Sequence, residues 1–190
     1  MRWLIILMTA LLVTPVMAEN LLTNPDFDLD PTIPGNGWST VGTGLFEWNQ
    51  SSGDPAAPSA RTDQINDESM TLFQCVEITG GLTFDFSARS YTHSSIGASN
   101  NGVALSVYES SDCSGDPIET VYTDQTTFPN WALRERQGYT APANALSARI
   151  ELFSEANGDN NYISWDNVKL TTPSVPVETK NWSNIKALFR

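Results

Sequence analysis

Short runs of alternating polarity recur along the chain, and this repetition constrains its fold more than any other feature. In Leu82–Ala88, apolar side chains alternate with Thr, Asp and Ser, which is the period of a half-buried strand. Val103–Val107 and Ala148–Leu152 repeat the pattern. Further candidate strands, rich in β-branched and aromatic residues, are Ser59–Asp63, Met70–Ile78, Ile118–Thr123 and Trp131–Tyr139.

Clusters of Gly, Asn, Asp, Ser and Pro separate these runs and predict turns. The strongest are Gly80–Gly81, Asn100–Gly102, Ser114–Pro117 and Asn157–Asp159. About eight to ten strands at this spacing predict an all-β chain folded as one antiparallel β-sandwich domain. No internal repeat and no second domain is apparent in the sequence.

The excess of acidic residues limits the kinds of partner that the protein can bind. The chain holds 22 Asp and Glu residues against 10 Lys and Arg, a net charge of -12 at pH 7. Its basic residues are single and scattered, whereas nucleic acid and anionic lipid are bound by clustered Lys and Arg. The sequence therefore argues against a nucleic-acid partner. An acidic body suits solubility outside a cell, and it also suits hard cations such as calcium.

Residues 1–18 have the organisation of a signal peptide. Arg2 supplies the positive charge, Leu4–Val13 is an apolar run, and Val16–Ala18 offers a small-residue cleavage site. The apolar run is too short to cross a bilayer as a helix. We therefore predict cleavage after Ala18 and export to the periplasm, the cell surface or the medium, with no membrane span in the mature chain.

The chain has two cysteines, Cys75 and Cys113. In an exported protein, two cysteines and no third indicate one disulfide bond. A zinc site is the alternative, but these two residues and the lone His93 do not supply four ligands. We predict the disulfide.

Two segments near the ends of the predicted sandwich carry a family resemblance. They are Asn20–Asp28, N-L-L-T-N-P-D-F-D, and Tyr162–Leu170, Y-I-S-W-D-N-V-K-L, and between them stand, in order, F-Q-C-V, G-G-L-T-F-D-F-S-A-R, D-C-S-G and A-P-A-N-A-L-S-A-R-I-E-L. This order resembles the cellulase-associated carbohydrate-binding modules of the galactose-binding-like jelly-roll type. The resemblance implies a jelly roll over residues 19–170, with the two segments as first and last strands lying close together. Residues 171–190 are predicted to be a linker and a short basic tail.

The resemblance also implies one structural calcium. In that family, acids of the first and last strands and backbone carbonyl groups commonly hold the ion. By position, Asp28 and Asp166 supply carboxylates here, and Asp26 supplies a carbonyl oxygen. A further ligand is expected near Gly53–Asp54. The alternative is that Asp26 and Asp28 shape a turn and Asp166 caps a strand end.

Three tryptophan side chains are predicted to pack inside the sandwich. Trp165 alternates with Ile163 and is predicted to lie in the core. Trp38 and Trp131 match positions that the resemblance implies are packed.

Three aromatic side chains are candidates for sugar binding. Protein sites for sugars combine aromatic faces with amide and carboxylate groups that fix the orientation of the ligand. Trp48, Tyr91 and His93 lie beside polar loops, and Tyr91 and His93 share one face at strand spacing. The alternative for each is partial packing at a strand end.

Catalysis finds little support in the sequence. Tyr91 and His93 with Arg89 resemble the acid–base set of a polysaccharide lyase, and Glu47 with Glu151 could be paired as in a glycosidase. Neither set has a supporting motif, and the sequence contains no nucleophile elbow, His-rich metal motif or phosphate-binding glycine loop. We therefore predict an exported, non-catalytic carbohydrate-binding module with a polysaccharide or glycan as its partner. The alternative is a secreted structural or protein-binding surface module without sugar affinity.

Overall fold

Ten β-strands account for the regular structure in the computed structural model, which describes residues 18–64, 68–93, 100–123, 130–155 and 161–173. These residues contain no helix, and so none that is long and apolar enough to cross a membrane. The strands are β1 Ser39–Gly42, β2 Leu45–Asn49, β3 Ser59–Gln64, β4 Ser69–Glu77, β5 Thr83–Thr92, β6 Asn100–Tyr108, β7 Glu119–Tyr122, β8 Ala132–Thr140, β9 Ser147–Glu155 and β10 Asn161–Thr171.

The strands form two five-stranded antiparallel sheets, which we name after their middle strands. The β9 sheet has the order β1-β4-β9-β6-β7, and the β10 sheet has the order β2-β3-β10-β5-β8. Most consecutive strands lie in opposite sheets, so the chain winds around the core between them. The predicted antiparallel jelly-roll sandwich is confirmed.

Period-two alternation places the core between the sheets. Along β5, Phe84, Phe86 and Ala88 are buried while the residues between them face outward. Trp165 and Ile163 of β10 are fully buried, as predicted, and Trp38 is buried beside them in the same core cluster. Burying a large apolar side chain contributes about 1.5–3 kcal/mol, so these inward positions supply the main stabilisation.

The predicted first strand is wrong as a regular strand. Within Asn20–Asp28 only Asn20 forms a β-bridge, to Thr171. Asn24 and Phe27 have positive φ angles of 50° and 53°, which break an extended run. The Asn24 amide also exchanges two hydrogen bonds with the backbone of Leu29, of 2.8 and 3.0 Å, and so closes a turn.

The segment nevertheless lies along the last strand, as the resemblance implies. The Leu21 N–H donates to the Leu170 carbonyl at 2.9 Å, and the Val168 N–H donates to the Pro25 carbonyl at 2.9 Å. The Asn20 side chain adds bonds to the backbone of β10. These contacts bring the acids around Asp26 towards β10.

Two local predictions are corrected. Leu82 precedes β5 and is 45% exposed, because it directly follows the Gly80–Gly81 turn and lines an open surface depression instead of the core. Asn100–Gly102 is not a turn but the start of β6. Its glycine is accommodated there because Phe153 of β9 lies over it, where a Cβ atom would be 3.0 Å from the ring. The predicted turn at Asn157–Asp159 lies outside the described residues.

The Cys75–Cys113 disulfide is confirmed. It joins β4 to the turn after β6, across a Cα–Cα distance of 6.1 Å and a sequence separation of 38 residues. The compact unit comprises Glu19–Pro173. Residues 1–17 and 174–190 lie outside the described residues, so the signal peptide, the tail and the exact domain limits stay predictions.

Candidate functional site

Asp166 is the most buried of the residues predicted to bind calcium. It lies on β10 opposite Arg89 of β5, with 1% of its surface exposed. Its Oδ2 accepts a hydrogen bond from the Asp54 N–H at 2.7 Å, and its Oδ1 accepts one from the Asn167 N–H at 2.7 Å. The Asp54 carboxylate in turn accepts two N–H groups of Arg89. Arg89 is therefore engaged with Asp54, and the lyase arrangement that would use it beside Tyr91 has no support.

The acids near Asp166 repel one another. The pKa of Asp166 is raised to about 6, first by burial and then by the charges of Asp26 and Asp54, in spite of its two N–H donors. Burial likewise raises the pKa of Asp26, and the neighbouring Asp28 carboxylate adds to this, while Lys169 lowers it. A cation at this place would relieve the repulsion.

The residues fit such a cation in part. Among the described residues, no group of three or more His, Cys, Asp or Glu side chains is placed to hold a metal ion. Asp26 and Asp166 offer carboxylates within electrostatic reach of each other. Calcium needs six to eight oxygens, so backbone carbonyl groups and water would have to complete the shell.

Trp48 lies apart from the other two predicted sugar contacts. Its Cα partner on β3 is Ala60, a fully buried core residue, so Trp48 shares the inward face of the β10 sheet. Its Nε1 donates to the Phe27 carbonyl at 2.8 Å. This contact fixes the irregular segment of Asn20–Asp28 against the sandwich.

Tyr91 and His93 meet on the outer face of the β10 sheet, as their spacing predicted. Their ring centroids are 4.2 Å apart in an edge-to-face arrangement. His93 Nε2 shares a hydrogen bond of 2.9 Å with Ser164 Oγ. Trp131, expected to be packed, is only half-buried, and its ring lies 5.8 Å from that of Tyr91. Three aromatic rings therefore line this part of the sheet.

The outer face of the β9 sheet carries a second arrangement. Phe73, Glu151, Ala104 and Tyr122 form one row across β4, β9, β6 and β7 in register. Partnered residues of antiparallel strands share a face, so the larger of these side chains stand around a small alanine. That alanine is 1% exposed although it faces outward.

Two aromatic rings extend this row. Phe153 stands two residues along β9 from Glu151 and lies over Gly102, the glycine of β6 described above. Its ring centroid is 5.8 Å from that of Tyr122, at an interplanar angle of 88°. Tyr122 is 51% exposed, so this pair is open to a ligand.

An ion pair lies beside the rings. Arg149 Nε donates to Glu151 Oε1 at 2.6 Å, and Ser106 Oγ donates to the same oxygen at 3.2 Å. The Arg149 guanidinium lies 5.3 Å from the ring centroid of Phe73 and 5.4 Å from that of Tyr108. These contacts fix its orientation. We call the set of Phe73, Tyr122, Arg149, Glu151 and Phe153 the β9 face.

The sequence interpretation missed the β9 face. Arg149, Glu151 and Phe153 are the outward members of a strand that was recognised by its inward residues, Ala148, Ile150 and Leu152. The residues that alternate with these inward positions, and therefore face solvent, carry the signal that identifies them. Glu151 was considered with Glu47, but Glu47 lies on β2 in the β10 sheet, so the two acids face opposite sides of the sandwich.

Comparisons with known proteins bear on the fold. No protein-family model matches the chain, and no curated protein matches its sequence. The solved structure of TmCBM61 in complex with β-1,4-galactotriose is 18% identical, with a TM-score of 0.57 over 81% of this chain and 99% of that one. The fold is that of carbohydrate-binding modules.

Two further structures have the same fold. The CBM22-2 xylan-binding domain of Paenibacillus barcinonensis Xyn10C is 17% identical, with a TM-score of 0.54 over 78% of this chain and 97% of that one. The CBM22-1–GH10 modules of Clostridium thermocellum xylanase 10B, complexed with xylohexaose, are 15% identical, with a TM-score of 0.61 over 87% of this chain and 30% of that one. These carbohydrate-binding modules belong to families 61 and 22, so the narrower prediction of the cellulase-associated family stays a prediction.

Proposed function

We propose that the protein is an exported, non-catalytic carbohydrate-binding module that binds a neutral polysaccharide on the β9 face. The observation that carries the proposal is the Arg149–Glu151 pair, held in place beside the half-buried rings of Phe73 and Phe153. Aromatic rings offer an apolar surface to the apolar face of a pyranose. A fixed ion pair beside them offers donors and acceptors to its hydroxyl groups.

The hydrogen bonds within the face leave groups for a ligand. Arg149 and Ser106 both donate to Oε1 of Glu151, so Oε2 can accept a hydroxyl group of a sugar. Arg149 uses Nε for this pair, so its terminal N–H groups can donate to hydroxyl oxygens. Because charge-assisted hydrogen bonds are the stronger class, this pair is well suited to orient an otherwise stacked ring.

Charge and similarity favour a neutral glycan. The net charge of -12 disfavours a polyanionic chain such as a polyuronate. TmCBM61 was solved with β-1,4-galactotriose, and the xylanase 10B modules were solved with xylohexaose. A β-1,4-linked galactan or a xylan is therefore the class of ligand to test first.

We expect Phe153→Ala and Glu151→Gln each to weaken binding of soluble galactan or xylan about tenfold or more. The first removes a stacking surface, and the second removes the charge from hydrogen bonds worth about 1.5–3 kcal/mol. Isothermal titration calorimetry on the full chain measures both. Leu146→Ala is the matched control, because the Leu146 side chain is exposed in the turn before β9. This variant should bind as the wild type does.

Two outcomes would reject this proposal. One is the absence of saturable binding to any neutral polysaccharide. The other is binding by the Phe153 and Glu151 variants that equals the wild type, with unchanged melting temperatures showing that both variants are folded.

A structural calcium belongs to the same proposal. Its ligands would be the carboxylates of Asp26 and Asp166, a cluster whose raised pKa values reflect burial and mutual repulsion. The Asp28 carboxylate lies close enough to raise the pKa of Asp26. It would either bind the calcium ion directly or help to balance the charge of the ion. Bound there, the ion would tie the irregular segment of Asn20–Asp28 to β10 on the outer side of the β10 sheet, beside Arg89.

Export is supported by the disulfide. Disulfides persist in oxidising compartments, and that between Cys75 and Cys113 is formed in the structure. Together with the organisation of residues 1–18, this favours a protein that works outside the cytoplasm.

One observation favours the alternative of a protein-binding surface module. Strand β1 is exposed at all four residues and is an edge of the β9 sheet, and edge strands can pair with another chain. Val41 of this strand and Leu45, the first residue of β2, are 61% and 66% exposed. Failure of every polysaccharide to bind, together with concentration-dependent association in sedimentation, would favour this alternative over sugar binding.

A further inference from the structure

We propose that the outer face of the β10 sheet is a second glycan-binding surface and that the protein therefore binds two polysaccharide segments at once. This surface, which we call the β10 face, consists of Arg61, Tyr91, His93, Trp131 and Tyr162. It goes beyond the proposed function, because it lies on the opposite sheet from the β9 face. Its chemistry is the same, with aromatic rings beside a fixed Arg–carboxylate pair.

Strand register gathers these residues. Glu47 of β2 is opposite Arg61 of β3, which is opposite Ser164 of β10, which is opposite Tyr91 of β5. All of these side chains therefore face away from the core in one row. With strands about 4.8 Å apart, a row across these four strands spans about 14 Å, which is room for more than one sugar ring.

A strip of rings occupies one half of the face. Tyr91 lies between His93 and Trp131, with centroid distances of 4.2 and 5.8 Å. Tyr91 and Trp131 are half-buried and His93 is exposed. Since these rings stand on the solvent side of the sheet, packing of the core does not explain them.

Polar groups held in fixed positions occupy the other half. Arg61 donates to both carboxylate oxygens of Asp63, at 2.7 and 3.1 Å, and lies 4.3 Å from the ring centroid of Tyr162. Its third nitrogen lies 3.5 Å from the Glu47 carboxylate. A bidentate pair stacked on a ring is pre-organised, so little side-chain freedom is lost when it binds a ligand.

The charges of the face fit an uncharged ligand. The charge of Arg61 is offset by Asp63 and Glu47. Partial desolvation of the His93 ring and the charge of Arg61 lower the pKa of His93, against a smaller opposing effect of Asp63. The lowered pKa favours the neutral imidazole, whose Nε2 shares a hydrogen bond of 2.9 Å with Ser164 Oγ. A neutral pyranose chain matches rings and balanced hydrogen-bonding groups better than an ionic partner does.

Binding on both faces would cross-link polysaccharides. The core lies between the two sheets, so the two faces point in opposite directions and one rigid segment cannot contact both. Two sites on one protein would therefore link separate polysaccharide segments, whereas a single rigid segment gains no apparent affinity from the second site.

The test compares matched variants of the full chain. Calorimetry with short galacto- and xylo-oligosaccharides gives the number of sites, and turbidity with the corresponding soluble polymer reports cross-linking. We expect two sites and turbidity for the wild type and for Leu146→Ala. A double variant with Tyr91→Ala and Trp131→Ala should retain one site without turbidity, and so should Phe153→Ala. Tyr162→Ala, with an intact ring strip, replaces the double variant if the latter does not fold.

The outcomes separate this proposal from the function proposed above. If the wild type has one site, which Phe153→Ala removes and the Tyr91 and Trp131 double variant keeps, the proposal of a second surface is rejected and binding at the β9 face is retained. One site lost only in the double variant overturns bivalency and moves sugar binding to the β10 face. Absence of binding to every glycan overturns both.

Discussion

Replacing Cys75 and Cys113 by serine is expected to lower the free energy of unfolding by about 4 kcal/mol. The disulfide closes a loop with a sequence separation of 38 residues, and the chain-entropy relation gives about 4 kcal/mol for a loop of this length. The folded turn keeps other contacts, since the Cys113 N–H donates to Ser147 Oγ at 3.1 Å and that hydroxyl donates to the Ser110 carbonyl. The loss therefore comes mainly from the greater freedom of the unfolded chain.

Urea unfolding of the double serine variant measures this loss. Wild-type protein treated with a thiol reductant is the matched control, because it breaks the same bond without changing the sequence. Both should show a lower midpoint by a similar amount. A decrease below about 1 kcal/mol in both samples would contradict the expectation and would mean that the unfolded chain is already restricted between β4 and β6.

The strands of the sandwich could be predicted from the sequence because their burial alternates. In β5 and β9, one parity packs against the opposite sheet and the other meets solvent, so local polarity reports the three-dimensional position of each residue. Trp165 and Ile163 could be assigned to the core for the same reason. The disulfide followed from counting two cysteines in a chain with a predicted signal peptide.

The predictions failed where individual side-chain contacts, and not the alternation of polar and apolar residues, decide the conformation. Asn100–Gly102 has the composition of a turn, yet it pairs with the last residues of β9, and Phe153 fills the space above Gly102. The family resemblance implies a strand over Asn20–Asp28, but the Asn24 side chain closes a turn on Leu29. Neither interaction is visible in a local pattern.

The two faces differ in how far the sequence reveals them. Tyr91 lies near the end of β5 and His93 directly follows that strand, so spacing alone places them together. The β9 face combines side chains of β4, β7 and β9, and its rows exist only through strand register. Register across non-consecutive strands is set by the winding of the whole sandwich, so a single sequence does not supply it.

Asp166 is expected to make the protein less stable as the pH rises from 4 to 7 in the presence of a chelator. Its pKa is raised from 3.8 to about 6 by burial and by the charges of Asp26 and Asp54. The folded state therefore holds this proton more tightly than the unfolded state does, so the contribution is fully present below pH 3.8 and is lost as the pH passes 6. The shift corresponds to about 3 kcal/mol, of which about 2 kcal/mol falls between pH 4 and pH 7.

Asp166→Asn isolates this contribution, because the variant cannot titrate at this position. The substitution disturbs the hydrogen bonds from Asp54 and Asn167, but that offset is the same at every pH. The difference in unfolding free energy between wild type and variant should thus fall by about 2 kcal/mol from pH 4 to pH 7 with chelator. Calcium bound at Asp166 stabilises the ionised form, so with calcium the fall should vanish and the melting temperature of the wild type alone should rise. If the difference in unfolding free energy stays constant from pH 4 to pH 7 with chelator, the raised pKa is contradicted. If it falls by the same amount with and without calcium, calcium does not bind at Asp166.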